Sequence, residues 1–128
     1  MRMHQHEVAR RAAEAVTAVG KRPQKERDEY KSFCEGFPVL LRNAGLLQAV
    51  VFLEAKRTHP HGTLLEHLKA QFLALGLLGA QESLSAKIAG LDSGSYMTWT
   101  RLADRVAYWE KRFVQALLKK DDQNAAAG

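Results

Sequence analysis

The sequence predicts an all-α fold: a single compact bundle of about five to six helices with a long C-terminal helix. Apolar residues recur at helical spacing along the chain, and no segment shows sustained alternation rich in β-branched residues. Glycine and proline interrupt this pattern where interhelical turns are needed. With 128 residues the chain suits one domain, which we expect over residues 1–120, with a flexible tail over residues 121–128.

The first two helices should meet at a turn that contains Gly20 and Pro23. A helix from Met3 to Val19 ends at Gly20, the usual residue after a helix C-terminus. The second helix begins near Pro23, where a missing N–H costs no hydrogen bond, and acids occupy its first turns, where the helix dipole favours them. Pro38 predicts a kink or break, because it removes the hydrogen bond to the carbonyl of Cys34.

The middle of the chain contains its most apolar helix. Leu46 to Ala55 is apolar on nearly every side, which predicts a buried central helix. A loop over Arg57 to Gly62 follows, and Thr63 with Glu66 three residues later forms a capping-box pattern at the start of the next helix. A further short helical segment is expected around Ser83 to Ala89.

The last helix, predicted from Ser95 to Lys120, is the longest and has two distinct faces. Ser93 or Ser95 is expected to be its N-cap. Its apolar face contains Trp99, Leu102, Ala103, Val106, Trp109, Phe113, Ala116 and Leu117. We expect Trp109 and Phe113 to pack against the Leu46–Leu53 helix, because these are the most apolar surfaces available.

A second stripe of this helix presents cations and one aromatic ring. At about 100° per residue its members fall within roughly 40° of one line. This basic stripe consists of Arg101, Arg105, Tyr108, Arg112, Gln115 and Lys119. No acid is a member. Arginine can hold a phosphate with two hydrogen bonds and tyrosine can stack on a sugar or base, so the stripe suits a nucleic-acid backbone. A well-solvated helix can show the same pattern by chance.

A second basic cluster surrounds the first interhelical turn. The cluster around Pro23 contains Lys21, Arg22, Lys25 and Arg27, and the whole chain has a formal charge of +5. A basic balance favours anionic partners such as nucleic acid. We therefore take Lys21, Arg22 and Lys25, with the cations and tyrosine of the basic stripe, as candidates for binding an RNA backbone. The alternative is that they form a solvated turn.

No pattern of catalytic or metal-binding residues is present in the sequence. Its five histidines lack a neighbouring acid or cysteine at ligand spacing, and a His-x-His pair such as His4 and His6 faces different sides of a helix. No Gly-rich phosphate loop or His-Glu-x-x-His motif occurs. Cys34, the single cysteine, is interpreted as a core residue. We expect no enzyme activity, metal, cofactor or small-molecule substrate.

The hydrophobicity pattern also argues against a membrane location. No run of about 18 apolar residues exists, and the polar N-terminus lacks the apolar core of a signal peptide. We therefore expect a cytoplasmic protein without a membrane partner.

Two blocks of the sequence, which cover roughly half of the chain, resemble a known family. They resemble the small all-helical subunit of the type III-B CRISPR effector, the Cmr complex. The first block contains Tyr30-Lys31-Ser32, Phe37-Pro38-Val39-Leu40 and Gly45-Leu46-Leu47-Gln48-Ala49-Val50-Val51-Phe52-Leu53. The second contains Tyr96, Leu102, Ala103, Trp109, Lys111, Arg112 and Phe113.

The resemblance implies a non-catalytic subunit whose copies stack beside the backbone subunits of a filament. Such copies line the groove where guide RNA pairs with target RNA. The implied partners are the other subunits of a type III CRISPR ribonucleoprotein, further copies of the chain, and guide RNA, target RNA or both. Because base pairing by the guide supplies specificity, the subunit should recognise backbone charge and shape. Residues 57–95 carry no part of the resemblance.

Two other functions remain open from the sequence. The basic helix could dock on an acidic protein surface, which would make the chain a structural adaptor. The chain could also bind double-stranded nucleic acid on its own. An adaptor binds no RNA at any salt, a stand-alone binder holds it at physiological salt, and a groove-lining subunit binds weakly unless several copies act together.

Overall fold

A computed structural model describes residues 5–119, which contain six helices and no strand. The helices are α1 (Gln5–Val19), α2 (Gln24–Ala44), α3 (Leu46–Lys56), α4 (His61–Ala74), α5 (Leu84–Ala89) and α6 (Ser93–Leu117). The predicted all-α fold with a long C-terminal helix is confirmed. The predicted tail over residues 121–128 lies outside the described residues. The last helix ends at Leu117, three residues before the predicted end at Lys120, and Leu118 is extended.

Helix α6 is the axis of the bundle and packs along both α1 and α2. The Trp99 ring lies 4.6 Å from the Phe72 ring of α4, whereas Glu110 contacts His67 of the same helix. Helices α4 and α6 are therefore antiparallel. A Cβ placed on Gly20 would lie 3.6 Å from the Leu118 side chain, so the α1–α2 turn sits beside the C-terminal end of α6.

The second helix is not broken at Pro38, which rules out one of the two outcomes predicted there. Helix α2 continues from Gln24 to Ala44 and includes Pro38. Phe37 and Leu41, on either side of the proline, are both buried. We attribute the continuity to their packing, which offsets one missing backbone hydrogen bond. The helix ends where Gly45 takes a φ of 85° and donates its N–H to the carbonyl of Leu41 at 2.9 Å.

Two predicted helix caps are also wrong. Asp92, not a serine, caps α6, and its carboxylate accepts a hydrogen bond from the Ser95 N–H at 2.8 Å. Helix α4 begins at His61, three residues earlier than a capping box with Thr63 as N-cap requires. The Thr63 hydroxyl lies instead 2.7 Å from Nδ1 of His59, because that loop histidine competes for it.

Helix α3 is not buried on all sides. Leu46, Ala49, Val50 and Leu53 are buried, but Val51 and Phe52 are 47% and 37% exposed. The helix packs against α2, α4 and α5, which together cover one side of it. The prediction of a fully buried central helix was therefore wrong, because apolar composition alone does not provide neighbours on every side.

The expected packing of Trp109 and Phe113 on α3 is not what the structure shows. Both rings are half-buried, stack on each other with centroids 5.7 Å apart, and lie on a helix that packs mainly along α1 and α2. Helix α3 reaches α6 near Tyr96, whose hydroxyl accepts the Leu47 N–H at 3.1 Å. The buried tryptophan of α6 is Trp99, with 5% exposure.

Replacement of the two tryptophans should separate their roles. Truncation of a buried tryptophan typically costs about 3–5 kcal/mol, so Trp99→Ala should lower the melting temperature by about 10 °C or more. Trp109→Ala removes a half-buried ring and should produce a clearly smaller shift. Thermal unfolding followed by circular dichroism measures both. Equal shifts, or a larger one for Trp109→Ala, would contradict this assignment of the core.

Candidate nucleic-acid interface

Every member of the predicted basic stripe is exposed. Arg101, Arg105, Tyr108 and Arg112 lie on α6, and at 1.5 Å per residue they extend over about 17 Å of its axis. Lys119 lies beyond the helix, since α6 ends at Leu117 and Leu118 is extended. The stripe faces away from the side of α6 that packs on α1 and α2, as the periodicity predicted.

The three arginines of the stripe have no ion-pair partner among the described residues. Within residues 5–119, no carboxylate lies at salt-bridge distance from Arg101, Arg105 or Arg112. The nearest acid in sequence is Asp104, which is exposed at the edge of the stripe. Partial burial raises the pKa of this carboxyl, and the charge of Arg42 acts in the opposite direction. The stripe therefore keeps its positive charge available for an anionic partner.

Tyr108 is held in place within the stripe by two neighbours. The guanidinium carbon of Arg112 lies 6.0 Å from the centroid of its ring, and the Trp109 ring meets it edge-on at 5.0 Å. An exposed cation–π contact of this kind is worth about 0.5–1 kcal/mol. The tyrosine nevertheless remains 47% exposed, so its ring is available to a nucleotide.

The structure divides the second basic cluster. Lys21 and Lys25 are exposed, and the turn that carries Lys21 lies beside Leu118, so Lys21 and Lys119 are at the same end of the molecule. Arg22 instead forms an ion pair with Glu26 at 2.8 Å, which offsets its charge. Lys21 and Lys25 thus remain exposed candidates for an anionic partner, whereas Glu26 offsets the charge of Arg22.

The core contains a buried polar network that the sequence pattern did not predict. Glu110 is 1% exposed on the apolar side of α6, and its Oε1 accepts a hydrogen bond from the Tyr30 hydroxyl. Nδ1 of His67 lies 2.8 Å from the Tyr30 oxygen and 3.2 Å from the same Oε1. Glu110 is four residues from both Val106 and Val114, so the sequence places an acid in the middle of the apolar face of α6. That pattern could have indicated a buried carboxylate.

This network, the Tyr30–His67–Glu110 cluster, joins α2, α4 and α6 inside the core. Burial, together with the Glu110 charge, raises the pKa of Tyr30 well above its ordinary value. The same two causes, in the same order, raise the pKa of the buried Cys34 thiol. Both groups are therefore neutral in the folded protein, which agrees with the core role predicted for Cys34.

The other two histidines of the α4 region have separate surroundings. His59 lies 2.7 Å from both the Thr63 hydroxyl and the carbonyl of Glu26. His61 packs on Phe33 with ring centroids 4.3 Å apart, and burial lowers its pKa. Across residues 5–119, no three side chains of His, Cys, Asp or Glu are grouped to hold a metal ion.

Fold and surface together define a small all-helical protein that carries a basic stripe outside its core. None of the helices within the described residues has the length and apolar character needed to cross a membrane.

Comparison with known proteins identifies the family. The family model for CRISPR-associated protein (Cas_Cmr5) matches residues 4–117. The CRISPR system Cmr subunit Cmr5 of Thermus thermophilus is 33% identical over 120 residues, which cover 94% of this chain and 100% of that protein. An X-ray crystal structure of a CRISPR-associated Cmr5 family protein, also from Thermus thermophilus, matches with a TM-score of 0.77 and 32% identity, covering 93% of this chain and 100% of that one. The chain belongs to the Cmr5 family, and the resemblance found in its sequence is confirmed.

The buried cluster gives a pH-dependent prediction. Tyr30→Phe removes a donor to buried Glu110 and should lower the free energy of unfolding by about 1–3 kcal/mol at neutral pH. Because the folded-state pKa of Tyr30 is raised, its contribution is complete below the ordinary value of 10.0 and is lost as pH rises toward the folded-state value. The stability difference between native protein and variant should therefore shrink above pH 10.0.

Denaturant unfolding across a pH series measures this difference. Tyr108→Phe is the matched control, because Tyr108 is exposed and should show no such effect. A difference between native protein and Tyr30→Phe that stays constant above pH 10.0 would show that Tyr30 is not the titrating group.

Proposed function

We propose that the chain is the small, non-catalytic subunit of a Cmr-type CRISPR effector complex and contacts its guide or target RNA through the basic stripe. Its copies would stack along a filament of other subunits in the cytoplasm and line the groove that holds the RNA. The supporting observations are membership of the Cmr5 family and an exposed row of arginines along α6. The proposed contact with RNA rests on this row of exposed arginines.

The chemistry of the stripe suits a backbone contact. Arginine can bind a phosphate through two parallel hydrogen bonds, and an exposed tyrosine can stack without preference for a base. Nothing in such a surface selects sequence, which agrees with a complex in which guide pairing supplies specificity. A few phosphate contacts in each copy give weak binding alone and strong binding when several copies act on one strand.

The arrangement of polar groups in the core supports a non-catalytic role. Tyr30 and Glu110, the buried polar pair, are sealed from solvent and bond to each other and to His67. A general acid or base must reach the reacting atoms of its substrate, and these two groups cannot. Turnover of RNA by the isolated chain would contradict this part of the proposal.

Removal of the stripe's charge should weaken RNA binding without affecting the fold. The stripe variant has Gln in place of four cations: Arg101, Arg105, Arg112 and Lys119. Its fold should be retained, because exposed substitutions usually alter stability by about 0.5 kcal/mol or less. Target-RNA binding by the reconstituted complex is then measured across a salt series. Affinity should fall, and the salt slope should weaken by about 0.7 for each lost phosphate contact to a single strand.

The matched control removes the same charge elsewhere on the chain, with Arg10, Lys31, Lys56 and Lys87 each changed to Gln. It should assemble normally and keep native affinity. Unchanged affinity and slope in a normally assembled stripe variant would contradict the proposal. Loss of assembly with intact RNA contacts would favour the adaptor function. RNA binding by the isolated native chain at physiological salt would favour the stand-alone function.

A further inference from the structure

Arg42, an exposed arginine in the last turn of α2, belongs to neither the basic stripe nor the cluster at the first turn. Within residues 5–119, no carboxylate lies at salt-bridge distance from its guanidinium. The helix dipole favours a cation near a helix C-terminus, which gives Arg42 a structural role at the end of α2. Its position relative to α6 indicates a second role.

Two contacts fix how α2 runs along α6. In the second turn of α2, the Tyr30 hydroxyl donates to the Glu110 carboxylate. Just beyond the end of α2, the Leu47 N–H donates to the Tyr96 hydroxyl at 3.1 Å. The two helices are therefore antiparallel, and the end of α2 lies beside the start of α6. Arg42 is consequently level with the early turns of α6, where the basic stripe begins.

Arg42 lies on the flank of α2 that is turned away from α4. Phe33 marks the opposite flank, because its ring packs on His61, the first residue of α4, with centroids 4.3 Å apart. Arg42 is nine residues after Phe33, which places it about 180° away around the helix. The side of α2 that packs on α6, marked by Tyr30, lies between these two directions. Arg42 is therefore on the outer side of the α2–α6 pair.

Asp104 occupies the matching flank of α6. Counted in one sense around the helix from Glu110, which faces the core, Tyr96 is about 40° away. In the same sense Asp104 is about 120° away and Arg101 about 180°. Because Tyr96 contacts the α2–α3 junction, Asp104 lies between α2 and the stripe. Partial burial raises the pKa of Asp104 and the charge of Arg42 opposes this rise, which agrees with both side chains being on one flank.

The middle of α2 adds little net charge to this outer flank. Lys31 and Glu35 lie there, one helical turn apart, and their opposite charges offset each other. Arg42 is the next charged residue of this flank toward the end of α2. It is therefore the positive charge that α2 adds beside the start of the stripe.

We propose that the RNA-binding surface continues from the basic stripe onto α2, where Arg42 is a further contact to the RNA backbone. This contact rests on the proposed function, because the ligand is the same RNA. The guanidinium of Arg42 can hold a phosphate through two hydrogen bonds, as the arginines of the stripe can. Asp104, between Arg42 and the stripe, repels the same phosphates and weakens binding. The surface thus extends over two helices, with one acid inside it.

The test changes one charge at a time in the reconstituted complex and measures target-RNA affinity across a salt series. Arg42→Gln should weaken binding about 10-fold, the change expected from loss of one charge-assisted hydrogen bond. The salt slope should weaken by about 0.7 for a single-strand contact. Arg42→Lys keeps the charge and should recover part of the lost affinity. Asp104→Asn should strengthen binding about 2-fold, because it removes a negative charge near the phosphates.

Arg57→Gln is the matched control for the loss of one arginine. Arg57 is also exposed and has no carboxylate at salt-bridge distance within residues 5–119, but it follows α3, on the side of α2 that carries Phe33. The control should bind like the native protein, and thermal unfolding should show that every variant is folded.

The outcomes separate this contact from the proposed function. Native affinity of Arg42→Gln, in an assay where the stripe variant binds weakly, would overturn the Arg42 contact and leave the proposed function intact. Native affinity of the stripe variant would contradict the proposed function, on which the contact rests. Failure of Arg42→Gln to assemble would also overturn the contact, because it would assign Arg42 to a protein interface.

Discussion

The contact between Tyr30 and Glu110 in the core sets how the longest helix is oriented. A buried carboxylate without partners costs several kcal/mol, so α6 must keep Glu110 turned toward Tyr30 and His67. Arg101 is nine residues before Glu110, which places it about 180° away around the helix. The same constraint that buries one acid therefore holds the arginine row in solvent.

The surface that results is an open one. The stripe is a row along one helix, open to solvent, with the length needed to follow several phosphates of an extended strand. Family membership bears on this surface, because the related Thermus protein is named as a subunit of a Cmr system.

Periodicity predicted the features that depend on one helix at a time. The all-α class, the exposed stripe of α6 and the turn at Gly20 follow from spacing within a segment. Features that need knowledge of neighbours were missed. Val51 and Phe52 are exposed because no helix of the described chain covers that side of α3, and Thr63 does not cap α4 because His59 engages its hydroxyl. Glu110 was missed for the same reason, since its partners Tyr30 and His67 are distant in sequence.

Site-specific photo-crosslinking in the assembled complex tests the central claim most directly. A photoreactive amino acid is placed at Tyr108, in the stripe, or at Leu73 of α4, which is similarly exposed but lies outside it. If the orientation of α6 presents the stripe to RNA, the complex labelled at Tyr108 should crosslink to guide or target RNA, and the complex labelled at Leu73 should not. Crosslinks from Tyr108 to protein alone, or RNA crosslinks of equal yield from both positions, would contradict the claim.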